Sequence, residues 1–418
     1  MTASSLASSS PACRSRHAPE MEIIVAVQQF AAPGGPQTYA ITVAEHLARL
    51  GHTVTLYARE LGEMAQLARS RALNVTGQLH ELPERADGVI SGVDRSLAVE
   101  LAARYPDAAR IFITHSIEEI HLPPPLDGIV AATVALNDRF EERARACVGA
   151  GEIVRMRQPV DMRRFPAGKE PAPRPQRALL LGNYHGGAGS RAHILKDAWS
   201  PAGLQWEHVG YPRATLAVAE AVSTVDIVVG YGRSILEAMC CQRPAYVFDL
   251  GGGDGWVTPE SYERIEANGF SGLAPNPPPD VAALRADLAG YDPDLGRLGR
   301  DLIRTHHDAR QHAAQLVALL ERVSPVPPPA ERSALRALAV LSEAHLRAEI
   351  AHEHSRAEAK QWFDRAQELN DQLATQALAN EARPKALRGG RRHRLATLLA
   401  RPFELLWALR GRPRRPPP

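Results

Sequence analysis

The stretch Val229–Thr258, VGYGRSILEAMCCQRPAYVFDLGGGDGWVT, decides how the whole chain is read. A short apolar run, Asp226–Val229, reads as a buried strand. Gly230 and Gly232 after it permit a tight turn and a close approach of backbone to a ligand. Ser234 is placed to cap a helix starting near Ile235, and Glu237 falls in the first turn of that helix. Free backbone N–H groups and the positive helix end make such a turn an anion site suited to a diphosphate. A carboxylate such as Glu237 accepts hydrogen bonds from ribose hydroxyls. Ala245–Phe248 reads as the next strand. The run Gly251–Gly255, with Asp254 among four glycines, reads as a turn or a ligand loop beside a cleft.

Outward from this stretch the same alternation recurs. Glu22–Phe30 reads as a buried strand, followed by the turn AAPGGPQ, which contains Gly34 and Gly35. Thr38–Leu50 carries Tyr39, Val43, Leu47 and Leu50 at helical spacing, Gly51 stops it, and His52–Ala58 is a strand. Strand, glycine turn, helix and strand make a βαβ unit and hence a parallel sheet. Apolar runs at Gly88–Ile90, Ile111–Thr114 and Ile129–Ala135 extend it, giving a first domain over residues 22–165. Residues 166–177 hold four prolines and read as an extended linker. A second α/β domain spans 178–323. Its strands are Ala178–Leu181, Glu207–Gly210, Asp226–Val229 and Ala245–Phe248, and a long helical pattern closes it at Leu295–Val323. Two such modules enclose a cleft, and ligands of open parallel sheets sit at the carboxyl ends of the strands.

Composition fits this reading. The chain has 418 residues, 44% hydrophobic and 23% charged, enough for two to three domains with large cores. Disorder throughout, collagen and a disulfide-stapled miniature fold are excluded. Cys13, Cys147, Cys240 and Cys241 match no zinc or disulfide spacing and read as reduced thiols of a cytoplasmic protein. Residues 1–21 are small and polar without the apolar run of a signal peptide, and read as a disordered start. A Pro-rich break at 324–330 precedes an Ala/Glu/Arg/Leu-rich segment, 331–382, which reads as a long helix, either solvated or a short coiled coil. The net charge of +2 hides an asymmetry: residues 383–418 carry 11 Lys/Arg against one acid, Glu404. Within them Leu395–Leu409 is amphipathic and flanked by arginines, which suits a helix lying on an anionic membrane through 391–415, with nucleic acid the lesser partner.

GYGRSILEAMCCQRP resembles the donor segment of family 4 glycosyltransferases, written E-G-F-G-x-x-x-L-E-A-M-A-x-G-x-P. Gly34-Gly35 with the helix ending ARLGHTVTLY is similar to that family's opening. Gln158-Pro159-Val160-Asp161-Met162-Arg163-Arg164-Phe165 resembles its N-G-V-D-x-x-x-F segment. The resemblance covers about 22–323. It implies the GT-B architecture: two Rossmann-like domains facing across a cleft, acceptor on the first and nucleotide-sugar donor on the second, plus a helical C-terminal extension. It also implies a transferase that moves a sugar to an unidentified glycan or lipid-linked acceptor, with retention and without metal or other cofactor. A non-catalytic scaffold and a nucleotide-sugar epimerase are the alternatives.

Carried over residue by residue, Glu237 matches the second of the family's paired glutamates, and the first falls at Val229. The family's Arg and Lys after the first strand of the second domain fall at Asn183 and near Ala188. His185, Arg191 and Arg233 are the substitute candidates at that site. The resulting set is His115 and Glu237 as catalytic residues. Gly34, Gly35, Asn183, His185, Arg191, Gly230, Gly232, Arg233, Ser234, Glu237 and Asp254 form the donor site. His306, His307, His312 and the run His352-Glu353-His354 fit no metal spacing and read as solvated helix faces.

Overall fold

The computed structural model describes residues 20–186, 191–211, 213–249, 252–272, 280–352 and 355. The tail 391–415 and the loop around Ala188 lie outside the described residues. Two open sheets organise the chain. The first contains β1 (Glu22–Ala26), β2 (Thr53–Tyr57), β3 (Asn74–Thr76), β4 (Gly88–Gly92), β5 (Ala109–Thr114), β6 (Ala132–Ala135) and β7 (Glu152–Arg155). The second contains β8 (Arg177–Leu181), β9 (Gln205–Val209), β10 (Ile227–Gly230), β11 (Ala245–Asp249) and β12 (Gly252–Trp256). The helices used below are α1 (Gly35–Arg49), α2 (Arg95–Arg104), α3 (Asp138–Arg145), α4 (Ala192–Trp199), α5 (Arg233–Cys240), α6 (Tyr262–Ala267), α7 (Asp294–His306) and α8 (Ala309–Arg322).

The first sheet has the order β3-β2-β1-β4-β5-β6-β7 and is parallel throughout. The chain runs outward from β1 to β3, then returns to add β4 on the other side. The second sheet repeats the scheme, β9-β8-β10-β11-β12, with β12 antiparallel. Each sheet therefore has a switch point, between β1 and β4 and between β8 and β10. At a switch point the following loops diverge and leave a crevice beyond the strand ends. Apolar side chains cover both faces, as buried parallel strands require. In the first lobe Ile23, Val25, Ile111 and Val134 pack with Tyr39, Val43 and Leu47 of α1. In the second, Leu179, Leu181 and Val228 pack with Ile235, Leu236 and Met239 of α5.

Four elements differ from the sequence reading. The pattern Leu295–Val323 is two helices, because the chain bends at His307 and Asp308 caps α8 through the N–H groups of Arg310 (2.7 Å) and Gln311 (3.1 Å). Ala313, Leu316 and Leu320 of α8 then enter the core of the first lobe. The glycine run is an edge strand, β12, and not a loop. His307 and His312 are buried, not solvated: they are 1% and 3% exposed. The segment after 331 is neither solvated nor a coiled coil where it begins. Leu335 and Ala339 are buried against Ala98, Ala102, Phe112 and Ile129 of the first lobe, and Arg59 meets Glu343 at 3.4 Å. No helix among the described residues is long and apolar enough to cross a membrane.

Both proline-rich segments are held by buried arginines. Proline offers no N–H, so such segments carry carbonyls that need donors from elsewhere. Arg110 on β5, 2% exposed, donates to the carbonyls of Ile129 (2.9 Å), Tyr105 (2.8 Å), Pro106 (2.7 Å) and Gly128 (3.2 Å), and to Val326 in the second segment. Arg243 donates to Val222 (3.2 Å), Ser223 (3.0 Å) and Lys169 of the 166–177 linker. Asp226 completes that anchorage by accepting from Ala172 N (3.0 Å), Gln176 N (2.8 Å) and Arg177 N (3.0 Å).

Substituting Arg110 by Met strips several buried carbonyls of their donor at once. Each such loss costs about 1–3 kcal/mol before relaxation, so Arg110→Met should lower the unfolding free energy by roughly 3 kcal/mol in urea titrations. Proteolysis within 324–330 should accelerate. A change below about 0.5 kcal/mol would contradict the anchoring role.

His307 and His312 are among the buried histidines that contribute to the acid response. Burial pushes both His307 and His312 down to about 3 from their ordinary 6.5. The unfolded chain binds their protons near 6.5 and the folded chain does not, so stability falls as pH drops below about 6.5 and goes on falling toward 3. Each contributes at most about 1.4 kcal/mol per pH unit. Urea unfolding from pH 7 to 4 should show a shallower decline for His312→Gln than for the unsubstituted protein. Parallel curves would sink this assignment.

Candidate functional site

The two switch points hold most of the sequence candidates. In the first lobe α1 follows β1 through Gly34, its N-cap, and Gly35, its first residue. No side chain caps this helix, and Pro36 at its second position has no N–H, so Gly35 and Gln37 carry its leading N–H groups. In the second lobe β10 ends at Gly230 and α5 begins at Arg233, with Gly232 as N-cap and again no side-chain cap. Ser234 lies inside the first turn and does not cap, contrary to expectation; its N–H reaches Tyr231 O at 3.3 Å. Gly232 has φ +56°, a conformation costly for any residue with a Cβ. A methyl group on Gly230 would stand 2.8 Å from Leu181 O and 3.0 Å from Ser234 Cβ, so strand and helix start pack too closely there for any side chain.

Asn183 and His185 follow β8, the other side of the second switch point. Asn183 is exposed, and its Oδ1 accepts from Tyr211 N at 3.0 Å. His185 is 8% exposed, meets Tyr231 edge-on at 5.7 Å between ring centres, and has an Nε2 that finds no hydrogen-bond partner. Burial, with His208 and Lys196 nearby, pushes it down to about 4, so it is neutral at pH 7. Arg191 precedes α4 and is half-buried.

His115 follows β5, whose neighbour β4 borders the first switch point. Its ring meets Tyr39 edge-on at 4.8 Å. Burial first, then the charges of Arg233, His121 and His312, push it down to about 3. A residue on the first lobe thus feels a guanidinium carried by the second. Tyr39 OH lies 2.7 Å from His312 Nε2, which brings α8 into the same cluster. His312 and Tyr39 were missed by sequence reasoning. His312 looked like a surface position of a continuous helix, and only the bend at His307 turns it inward.

Glu237 is 8% exposed. Burial raises its pKa, and the Arg233 guanidinium opposes that rise. Arg233 Nε donates to Glu237 Oε1 at 2.9 Å, Nη1 to Pro159 O at 2.9 Å, and Nη2 to Thr42 Oγ1 of α1 at 3.5 Å. A cation sought for phosphate is therefore already engaged three ways. Asp254 stands apart from the switch points, on the edge strand β12. Its buried carboxylate accepts from Gly272 N at 3.1 Å and faces Arg264 at 3.6 Å. Val229, where the resemblance calls for a carboxylate, is fully buried among Leu180, Ile227 and Phe248. Among the described residues no group of three or more His, Cys, Asp or Glu could hold a metal ion.

The loop after α6 reaches the first lobe as well. Phe270 O accepts from Gly232 N at 2.7 Å, and Ser271 Oγ accepts from Arg139 of α3 at 3.3 Å. Strand ends from both sheets consequently converge on one cleft. A separate polar cavity of about 420 Å³ lies at the lobe junction, lined by Arg155, Arg157, Glu263, Glu266, His306 and Gln311 among others. His312 lines it too and is the residue it shares with the Tyr39–His115 cluster.

No family model matches the chain, and no curated protein matches it. Solved structures do. HepE of Anabaena, crystallised with UDP and glucose, is 12% identical, with a TM-score of 0.51 over 72% of this chain and 99% of that one. A glycosyltransferase from Rickettsia africae is 13% identical, with a TM-score of 0.50 over 72% and 97%. An alpha-glucosyltransferase bound to UDP and a 13-mer DNA is 10% identical, with a TM-score of 0.51 over 73% and 100%. At such identities the likeness speaks for the fold. The chain has the GT-B architecture of these glycosyltransferases, with two Rossmann-like lobes whose strand ends face one another and helices following the second.

Proposed function

We propose that this protein is a glycosyltransferase that moves a sugar, with retention, from a nucleotide-sugar donor to a glycan or lipid-linked acceptor. The observation that carries the reading is the pairing of two helix starts without side-chain caps, at Gly34–Gly35 and Gly232–Arg233, on the switch points of the two sheets. A departing diphosphate develops negative charge, and uncapped N–H groups aimed at it stabilise that charge without reorganising. Gly230, Gly232 and Ser234 surround the phosphates in this scheme, with Asn183, His185 and Arg191 beside them. Glu237 accepts from the ribose through Oε2. His115, neutral at pH 7, is suited to hydrogen-bond a sugar hydroxyl without adding charge beside the oxocarbenium-like centre.

UDP is the first nucleotide to try, because two of the similar structures hold it. Calorimetric titration should show one nucleoside diphosphate binding. Glu237→Gln should weaken it about ten- to hundredfold, the loss of one charge-assisted bond of about 1.5–3 kcal/mol. Equal affinity in both proteins would misplace the ribose. Absence of binding to any nucleotide at millimolar concentration would favour a non-catalytic scaffold, a reading that Val229 in the core and the engaged Arg233 also support.

The basic tail extends the proposal to a cytoplasmic enzyme resting on the inner face of the cell membrane, where a lipid-linked acceptor would be presented. Full-length protein should sediment with anionic liposomes and a 1–382 truncation should not. Equal sedimentation would remove the membrane from the scheme.

A further inference from the structure

We infer that Arg233 is a positioning residue that ties the two lobes together and presets Glu237, and not a ligand of the donor phosphates. The inference rests on the donor-site reading above and deepens it.

A guanidinium has five N–H groups in a rigid fork and no acceptor, and three of the five are engaged here. Here each of the three nitrogens already faces a different element. Nε meets Glu237 Oε1 one turn further along α5, at 2.9 Å. Nη1 meets Pro159 O, on the chain crossing between the lobes, at 2.9 Å. Nη2 meets Thr42 Oγ1 on α1 of the first lobe, at 3.5 Å. Thr42 donates its own hydroxyl proton to Thr38 O at 2.7 Å, so its lone pairs are free for Arg233. Pro159 O is a carbonyl in a stretch where proline supplies no N–H. The side chain of Arg233 is only 9% exposed. Turning it toward phosphate would leave Pro159 O, Thr42 and a buried carboxylate without their donor.

The same contacts explain what Arg233 does for the site. By holding Oε1 of Glu237 it fixes the plane of the carboxylate. Among the described residues Oε2 accepts no hydrogen bond, which leaves that oxygen for a ribose hydroxyl. Lysine at this place would offer a single ammonium and no fork, so it cannot span three acceptors. The location matters as much as the chemistry: Arg233 opens the helix that follows the switch-point strand of one lobe, and Thr42 lies on the helix that follows β1 of the other. One side chain therefore couples the carboxylate's orientation to lobe closure.

The test separates positioning from phosphate binding by comparing a nucleoside diphosphate with its nucleoside. Full-length wild type, Arg233→Met, Arg233→Lys and the double variant Arg233→Met/Glu237→Gln would be titrated with UDP and uridine, and with GDP and guanosine. Hydrogen exchange of residues 157–165 would be followed in the same proteins without nucleotide. Arg233→Met should weaken diphosphate and nucleoside by the same factor, about tenfold or more, and speed exchange at 157–165. Arg233→Lys should restore only part of either. The double variant, which leaves no buried unpaired carboxylate, should fold normally and still exchange fast. Loss of diphosphate affinity with nucleoside affinity intact would make Arg233 a phosphate ligand and overturn the inference, as would unchanged exchange at 157–165. If wild type binds no nucleotide, the donor-site reading fails by itself, and the exchange result alone decides whether Arg233 is the tie.

Discussion

Two parallel sheets that turn their strand ends toward each other need something other than those strands to fix their separation, and here the fixed point is His307. Its Nδ1 lies 2.7 Å from Gln158 O and its Nε2 lies 2.9 Å from Tyr262 OH. A carbonyl only accepts, so Nδ1 carries the proton and Nε2 receives one from the tyrosine. The His307 carbonyl accepts from Val160 N at 2.9 Å. One buried neutral imidazole thus joins the first crossing between the lobes to α6 and to the bend from which α8 returns. Protonating it would put a charge where burial opposes one, which is why its pKa is so low. Around this point Arg155 grips Glu266 with Nη2 at 2.8 and 2.7 Å, and Arg157 meets Glu263 at 2.5 Å. The junction is polar rather than oily, a composition in keeping with lobes that meet through specific bonds.

The remaining crossings obey the same logic with a different residue. Proline-rich chain cannot satisfy itself by pairing with a neighbouring strand, since its missing N–H groups leave half of each ladder empty. Placing Arg110 and Arg243 underneath such chain supplies donors in the number and direction that carbonyls require. Neither arginine depends on a carboxylate hydrogen bond. Burial lowers the pKa of both, yet guanidinium keeps its proton far above neutrality, so the charge is paid for by carbonyl dipoles.

This division explains what could be read from the sequence. Glycine turns, helix periodicity and strand-like apolar runs report local backbone, and they identified the two α/β modules, helix starts near Thr38 and Ile235 that fall at Gly35 and Arg233 in the structure, and the proximity of Glu237 to the second. Burial of polar side chains is decided by tertiary partners, and the sequence carries little of it. His307 and His312 sit among polar neighbours in a helical pattern, so they resemble wetted positions until Asp308 is seen to start a second helix. Leu335 and Ala339 lie in an Ala/Glu/Arg/Leu-rich segment that reads as solvated or coiled-coil until the first lobe covers them. The glycine run Gly252–Gly255 has poor strand propensity, and only its pairing with Ala245–Asp249 makes it a strand. Arg233 read as a substitute cation for the donor site because position within a motif says nothing about which donors are already taken.

The electrostatics of the cleft follow from these placements. Arg233 and Glu237 compensate each other, and His115 and His185 are both uncharged near neutrality. Arg191, half-buried before α4, is the other formally positive candidate side chain on the second lobe. In the scheme proposed above, an anion entering the cleft meets the partial positive charge of two helix starts. Their attraction is short in range and directional, whereas a cluster of exposed cations acts over about a Debye length and draws in any polyanion. A site of this type selects by shape and hydrogen-bond direction. In that scheme the conformation of Gly232 and the packing that excludes a side chain at Gly230 set where the start of α5 points.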